Sequence, residues 1–390
     1  MKYPITPEYL ETAPDGIVKL YAALEESILS YICSQFKAGQ LNATAIEMIR
    51  ILQQRGLDMA EIEKRIKATA KLTDAEFDRV IDEAVAFNRK YYDTAIDKLG
   101  LLGDTYRAEA LALETQAIAS QTKGLFDNLT QSLGFAIRGA GGKVQYLDIA
   151  KTYQHVLDVA EMQVQSGAFS YEEAIRGAVR TLSDSGVQWI DYSTGWHNRV
   201  DVAARRAVMT GITQISAKYS DNLCEEVNTP YIEVTAHRGA RDKPGKTPWA
   251  SHKDWQGKVY SKNAGDIYPS VYAVCGLGEV DGLCGANCRH GYHAWVEGVS
   301  DRTYTDEELS NIDKPPFEFE GRKYTAYEAT QKQRQIETAM RTIRRRMAAS
   351  KAAGDTEEYT AARIKLNALD TEYKKFSNAA GLREQMDRTL

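Results

Sequence analysis

Apolar residues recur at spacings of three and four through most of the chain, and that period predicts helices. From about residue 16 to 128 the pattern reads as successive amphipathic helices. Ile62, Ile66 and Ala70 repeat at four, and Val80, Ala84, Phe87 and Tyr91 follow one helix face. Breaks fall at Gly39 to Asn42, at Arg55–Gly56 and at Lys71 to Asp74, where Thr73 or Asp74 offers the side-chain oxygen that caps a following helix. Gly139, Gly141 and Gly142 then mark a loop and a boundary. They lack the Gly-x-x-x-x-Gly-Lys-Ser/Thr spacing of a phosphate cradle. Residues 145–222 read as helical again: Ser170 with Glu173 forms a capping box, and a long helix from Val200 carries Arg205 and Arg206 in an apolar face.

The texture changes at Asn228. Proline, glycine, histidine and tryptophan concentrate from Pro230 to Gly298, opening on the alternating strand-like segment YIEVTAH. Beyond Asp301 come the acidic TDEEL and then PPFEFEGRKYT, which predicts a short β-hairpin turning at Glu320–Gly321. Helical periods return with Ile336, Met340, Ile343 and Met347, and again with Leu366, Leu369, Tyr373 and Phe376. Gly354 ends the first of these helices, and Asp355 with Glu358 starts the second, which predicts an antiparallel helical hairpin. The expected fold is therefore mainly α with a small α+β module. Its stretches are an N-terminal helical bundle or array (1–140), a second helical region (141–227), an irregular Cys/His-rich α+β module (228–300), and a short hairpin plus helical hairpin (301–390). No internal repeat of fixed period emerges.

Composition narrows the function classes. With 390 residues the chain is long enough for two or three cores. A formal net charge of -5 argues against a surface that coats nucleic acid throughout, and leaves only local basic patches. The first residues carry no apolar signal segment and no stretch reaches membrane-spanning length, so the expectation is a protein kept in, or packaged from, cytosol. Five cysteines are too few and too odd for a disulfide framework.

Three of those cysteines fall in the module. Cys284, Cys288, His290 and His293 place four soft or borderline donors in ten residues, a candidate zinc set, with His237 and His252 as alternative members. The one-residue gap between Cys288 and His290 is unlike the separated pairs of knuckle-type sites. Three other readings stand beside zinc: buried cysteines with backbone-bonded histidines, a Cys284–Cys288 disulfide, and a metal-dependent nuclease built on His237 or His252 with the Asn-Cys-Arg-His segment. Cys288 with His290 as nucleophile and base is a further arrangement. Arg341, Arg344, Arg345 and Arg346, with Lys351, crowd one helix end and, like Arg205 and Arg206, are candidates for DNA or partner contact.

The combination of H-x-x-A-R (His237–Arg241), H-x-x-W-Q-G-K-V-Y (His252–Tyr260) and G-L-C-G-A-N-C-R-H (Gly282–His290) resembles the phage minor capsid protein 2 family, which is related to phage Mu F-type minor head proteins. The likeness covers most of residues 195–350, including YTAYEATQKQRQIE downstream; the N-terminal helices match only in general character. The resemblance implies a structural, non-enzymatic protein of a tailed phage or prophage head. It would be made in the host cytoplasm, lie in the capsid interior or at the portal vertex, and act in head assembly or DNA packaging and ejection. Its implied partners are the portal and other capsid proteins, with packaged DNA and further copies of the chain as additional contacts and no membrane. His237, Arg241, His252, Trp255, Gly257, Asn287, Cys288, Arg289 and His290 carry the motif and are expected to brace the module, with no catalytic residue and no cofactor beyond zinc. A metal-dependent nuclease or effector, and a DNA-binding accessory protein, are the competing functions.

Overall fold

A computed structural model describes the whole chain except residues 1, 2, 4, 40–42, 102–104, 139–142, 191–195, 244 and 390. It is 64% helical with small antiparallel sheets, which is the mainly-α class with an α+β module that the periodicity predicts. In chain order come α1 (Pro7–Thr12), α2 (Asp15–Gln35), α3 (Ala45–Arg55), α4 (Met59–Leu99) and α5 (Thr105–Gln131). Strands β1 (Leu133–Arg138) and β2 (Val144–Asp148), helices α6 (Ile149–Gln165) and α7 (Tyr171–Ser185), strands β3 (Gln188–Ile190) and β4 (His197–Arg199), and α8 (Val200–Glu226) follow. The module holds β5 (Tyr231–Val234), α9 (His252–Trp255), β6 (Val259–Ser261), α10 (Val271–Cys275) and β7 (Tyr292–Trp295). Last are α11 (Asp306–Ser310), β8 (Phe317–Phe319), β9 (Arg322–Tyr324), α12 (Ala326–Ala353) and α13 (Thr356–Ala380).

The residues group into two compact units. The first comprises Met1–Asp15, Asp74–Leu125 and Arg205–Lys332; the second comprises Gly16–Thr73, Phe126–Ala204 and Gln333–Leu390. Within the first, Val208, Ile212, Ile215, Tyr219 and Leu223 put one buried stripe along α8. A three-stranded antiparallel sheet of order β6-β5-β7 supplies Ile232, Val234, Tyr260 and Tyr292 to a core completed by Trp255, Val271, Cys275, Leu283, Cys288 and Cys224 of α8. Successive strand residues face opposite sides, so Glu233 and His293, paired across β5 and β7, lie on the other face of the sheet from Val234 and Tyr292. Among the five free cysteines Cys33, Cys224, Cys275 and Cys288 are buried and Cys284 is half-buried.

Within the second unit, a four-stranded sheet of order β2-β1-β3-β4 carries α6 and α7. Ser170 and Glu173 make the predicted capping box of α7. The helical hairpin also forms as read: the Asp355 side chain accepts the Glu358 backbone N–H at 2.9 Å, and Tyr373 donates to Glu337 at 3.0 Å between α13 and α12. A buried ion cluster sits here too. The Glu25 carboxylate accepts the Val187 backbone N–H at 2.8 Å and faces Arg199 at 3.0 Å and Arg345 at 3.5 Å.

Two expectations are corrected. Residues 145–222 are not continuously helical, since β2, β3 and β4 fall within them. Leu133, Phe135 and Ile137 alternate inward along β1, a two-residue period whose partner strand begins just past the glycine cluster; that cluster lies outside the described residues. The other correction concerns Lys71 to Asp74, which do not break a helix. α4 runs through them, because Thr73, Phe77 and Val80 continue one buried face and the helix gains more from that burial than from ending at a cap. The β8–β9 hairpin does turn at Glu320 (φ 49°) and Gly321 (φ 76°), the two left-handed residues that a type I′ turn requires.

Candidate functional site

The chemistry gathers where the chain leaves β5, in α9, and in the loop between α10 and β7. His237 follows β5 by three residues. Its backbone N–H donates to Gln256 Oε1 at 3.0 Å, which ties the strand exit to the end of α9. Trp255 is 1% exposed and its Nε1 donates to the Trp249 carbonyl at 3.1 Å. Gly257 (φ 69°) must follow: a Cβ there would stand 2.3 Å from Leu309 Cδ2 and 3.1 Å from the Ala236 Cβ. Gly257→Ala is therefore expected to lower the stability of the first unit by about 1–3 kcal/mol, read as a fall in melting temperature. A loss below the resolution of the melt would contradict this packing.

The loop from Val280 to Cys288 is held by its own backbone. Leu283 N–H donates to the Cys275 carbonyl at 2.8 Å, Ala286 to Val280 at 2.7 Å and Cys288 to Gly285 at 3.1 Å. Cys284 (φ 62°) and Asn287 (φ 59°) adopt the left-handed conformation that residues other than glycine and asparagine seldom take, so this loop stores strain at Cys284, just before Cys288. Arg241 clamps it from outside, donating to the Asp281 carbonyl at 3.1 Å.

The result is a buried cluster. Cys288 Sγ lies 3.5 Å from His290 Nδ1 and 3.8 Å from His252 Nδ1, and one ligand atom from each of the three residues falls within 4.8 Å of the others. His252 Nε2 meets the Asp281 carbonyl at 3.0 Å, and His290 Nε2 meets Gln256 Oε1 at 3.1 Å. His237 stacks on His290 with ring centroids 4.5 Å apart, while Trp255 lies 4.5 Å from His252 and 4.9 Å from His290. His237 Nδ1 stands 2.9 Å from the Arg238 carbonyl, an oxygen that only accepts, so this nitrogen carries the hydrogen. The Arg289 guanidinium 3.3 Å away then touches the same nitrogen without donating to it, and its ion pair is with Glu11 at 3.1 Å.

Burial sets the protonation states. It holds the His237 imidazole down at about 3 and that of His252 at about 4, and it drives His290 well below the ordinary histidine value. Burial likewise pushes the Cys288 thiol up. The cluster is neutral at physiological pH. A nucleophile would need an accessible thiolate, whereas Cys288 is 3% exposed and His290 is 1% exposed.

The structure brings Cys288 and His290 together with His252, and His293 lies elsewhere. Strand alternation turns His293 to the opposite face, where Nε2 meets Glu233 at 3.1 Å and the ring stacks on Tyr3. Burial alone would raise the Glu233 carboxyl, but hydrogen bonds from His293 and Thr303 outweigh it and hold the group below the usual range. Cys284 stays near the cluster: its Sγ and that of Cys288 are each 3.8 Å from the His290 carbonyl oxygen. Asn287 is exposed and serves as a turn residue. Gln256 lies inside the H-x-x-W-Q-G-K-V-Y motif, but nothing in the local pattern shows what it faces, and the Asp281 carbonyl carries no sequence signal as a partner.

The arginines read as candidate DNA contacts are largely committed inside the fold. Arg205 pairs with Asp15 at 2.9 Å, and Arg341 with Asp201. Arg345 is buried against Glu25 and donates to the Ser183 carbonyl at 3.0 Å, and Arg346 pairs with Asp184 at 2.5 Å. Arg206 and Arg344 are half-buried on α8 and α12. No helix among the described residues is long and apolar enough to cross a membrane.

Compared with known proteins, a family model described as phage minor capsid protein 2 matches residues 5–378. No curated protein and no solved structure matches the chain.

Proposed function

The chain belongs to the phage minor capsid protein 2 family, and on that premise we propose that it is a structural, non-enzymatic head protein that docks at the portal vertex and acts in head assembly or in DNA packaging and ejection. Family membership makes it a component of the phage particle, and the portal is the partner that the motif resemblance implies. One observation carries the non-enzymatic reading: the Cys/His cluster found among the described residues is sealed. His237, His252, Cys288 and His290 are each less than a tenth exposed, and their polar atoms face one another, backbone carbonyls and Gln256, away from solvent. A catalytic centre must admit a reactant and keep a group free to act on it. Here the same groups brace a loop.

The nuclease reading loses its accessible base to this burial. The DNA-binding reading loses most of its cations, since a guanidinium already paired with a carboxylate releases few counterions on meeting phosphate. The experiment is co-expression with the portal protein of the same phage, followed by size-exclusion chromatography and by mass spectrometry of purified particles. The expected result is a complex with the portal and peptides of this chain in the heads. Its absence from purified particles, or a portal that elutes alone, would remove the proposal.

A further inference from the structure

Hydrogen-bond partners fix the tautomers of the two histidines that face Cys288. His252 Nε2 lies 3.0 Å from the Asp281 carbonyl, which can only accept, so the hydrogen is on Nε2. Gln256 Oε1 already accepts the His237 backbone N–H at 3.0 Å, which orients the amide, so His290 Nε2 at 3.1 Å must also donate. Both neutral rings therefore present a bare Nδ1, at 3.8 and 3.5 Å from the Cys288 sulfur. The thiol holds one hydrogen for two lone pairs. Its sulfur also accepts the His290 backbone N–H at 3.4 Å, a bond that favours the thiolate.

A cation resolves this surplus of acceptors, and the geometry fits one. Zinc bonds of roughly 2.0–2.3 Å in a tetrahedron place neighbouring donors about 3.3–3.8 Å apart. The two sulfur–nitrogen distances fall within that range. Outward N–H bonds from each ring to an oxygen are also the second layer that orients ligand histidines and raises their basicity. We propose that His252, Cys288 and His290 bind one borderline-soft divalent ion of the zinc class, as a structural staple of the module. Binding exchanges the Cys288 thiol hydrogen for the ion, so one proton leaves to solvent for that ligand. Cys284 stands outside this group of three donors, although its sulfur and that of Cys288 both lie 3.8 Å from the His290 carbonyl oxygen. All three donor residues are buried, so the fold around the ion closes it off from a substrate.

The test uses the full chain, stripped with chelator and titrated with cobalt(II). One equivalent is expected to give the strong visible bands of a tetrahedral site and a near-ultraviolet sulfur-to-cobalt band. Stoichiometric zinc should bleach both bands and raise the melting temperature. Cys288→Ser and His290→Ala should lose the sulfur band and bound zinc by elemental analysis, while His293→Ala keeps them. A wild-type chain that is folded by circular dichroism, yet shows no sulfur-to-cobalt band and retains no zinc after gel filtration, overturns the proposal. So does a site abolished by His293→Ala and preserved in His252→Ala.

Discussion

Glu25→Ala should destabilise the second unit by about 3–5 kcal/mol, the range measured when one partner of a buried ion pair is removed. The side chain is 4% exposed and serves three donors at once: the Val187 N–H, Arg199 and Arg345. Burial lowers the Arg345 guanidinium to about 10, with Glu25 opposing the shift, and it is still a cation at neutral pH. Removing the carboxylate takes away the main charge that balances Arg345, leaves Asp201 as a weaker one, and strands the Val187 backbone N–H just before β3. Arg199 retains Asp201 at 3.1 Å, so the loss falls mainly on Arg345. Amide exchange around Val187 should speed up and the melting temperature should fall, whereas replacing Glu25 and Arg345 together with methionine should recover much of the loss. A single variant that loses less than about 1 kcal/mol would show that water reaches this cluster.

Mild acid should open the first unit through its histidines. The folded values of about 3 for His237 and about 4 for His252 lie below the 6.5 of an unfolded chain. Between those limits the unfolded state binds more protons, so stability rises with pH across the window. The contribution is fully present above pH 6.5 and is lost as the pH falls through the folded values. For His252 alone the gap is worth roughly 3 kcal/mol, and any bound ion pulls in the same direction, because protons displace it from nitrogen and sulfur. Carboxylates elsewhere also respond to acid. The decisive comparison is therefore between wild type and His237→Gln or His252→Gln, with melting temperature followed from pH 7 to 4.5. The variants should start less stable and lose less on acidification; parallel slopes would contradict the assignment.

How much of this was legible follows from which signals are local. Helix faces, the capping box at Ser170, the hairpin at Glu320–Gly321 and the turn at Gly354–Asp355 are written within a few residues each, and the structure has them all. The β1–β4 sheet is not legible, because β3 and β4 have three residues each, too few to show a period, and glycines between two strands carry the same signal as a gap between helices. The Cys/His site was half legible. Sequence proximity suggests His293, but a strand sends neighbours to opposite faces, and the histidine that joins His290 at Cys288 comes from 36 residues upstream. Nor could charge alone tell a DNA-facing arginine from Arg345, whose carboxylate partner lies 320 residues away.

The distribution of thiols has a practical consequence. Four of the five sulfurs belong to one unit and Cys33 to the other, and four are sealed from solvent. An alkylating reagent can reach a sealed sulfur only during a transient opening, so the rate at which each cysteine-bearing peptide gains mass clocks the excursions of its own unit. Each unit thus carries its own stopwatch, and the two can be read separately in one sample from the native cysteines alone.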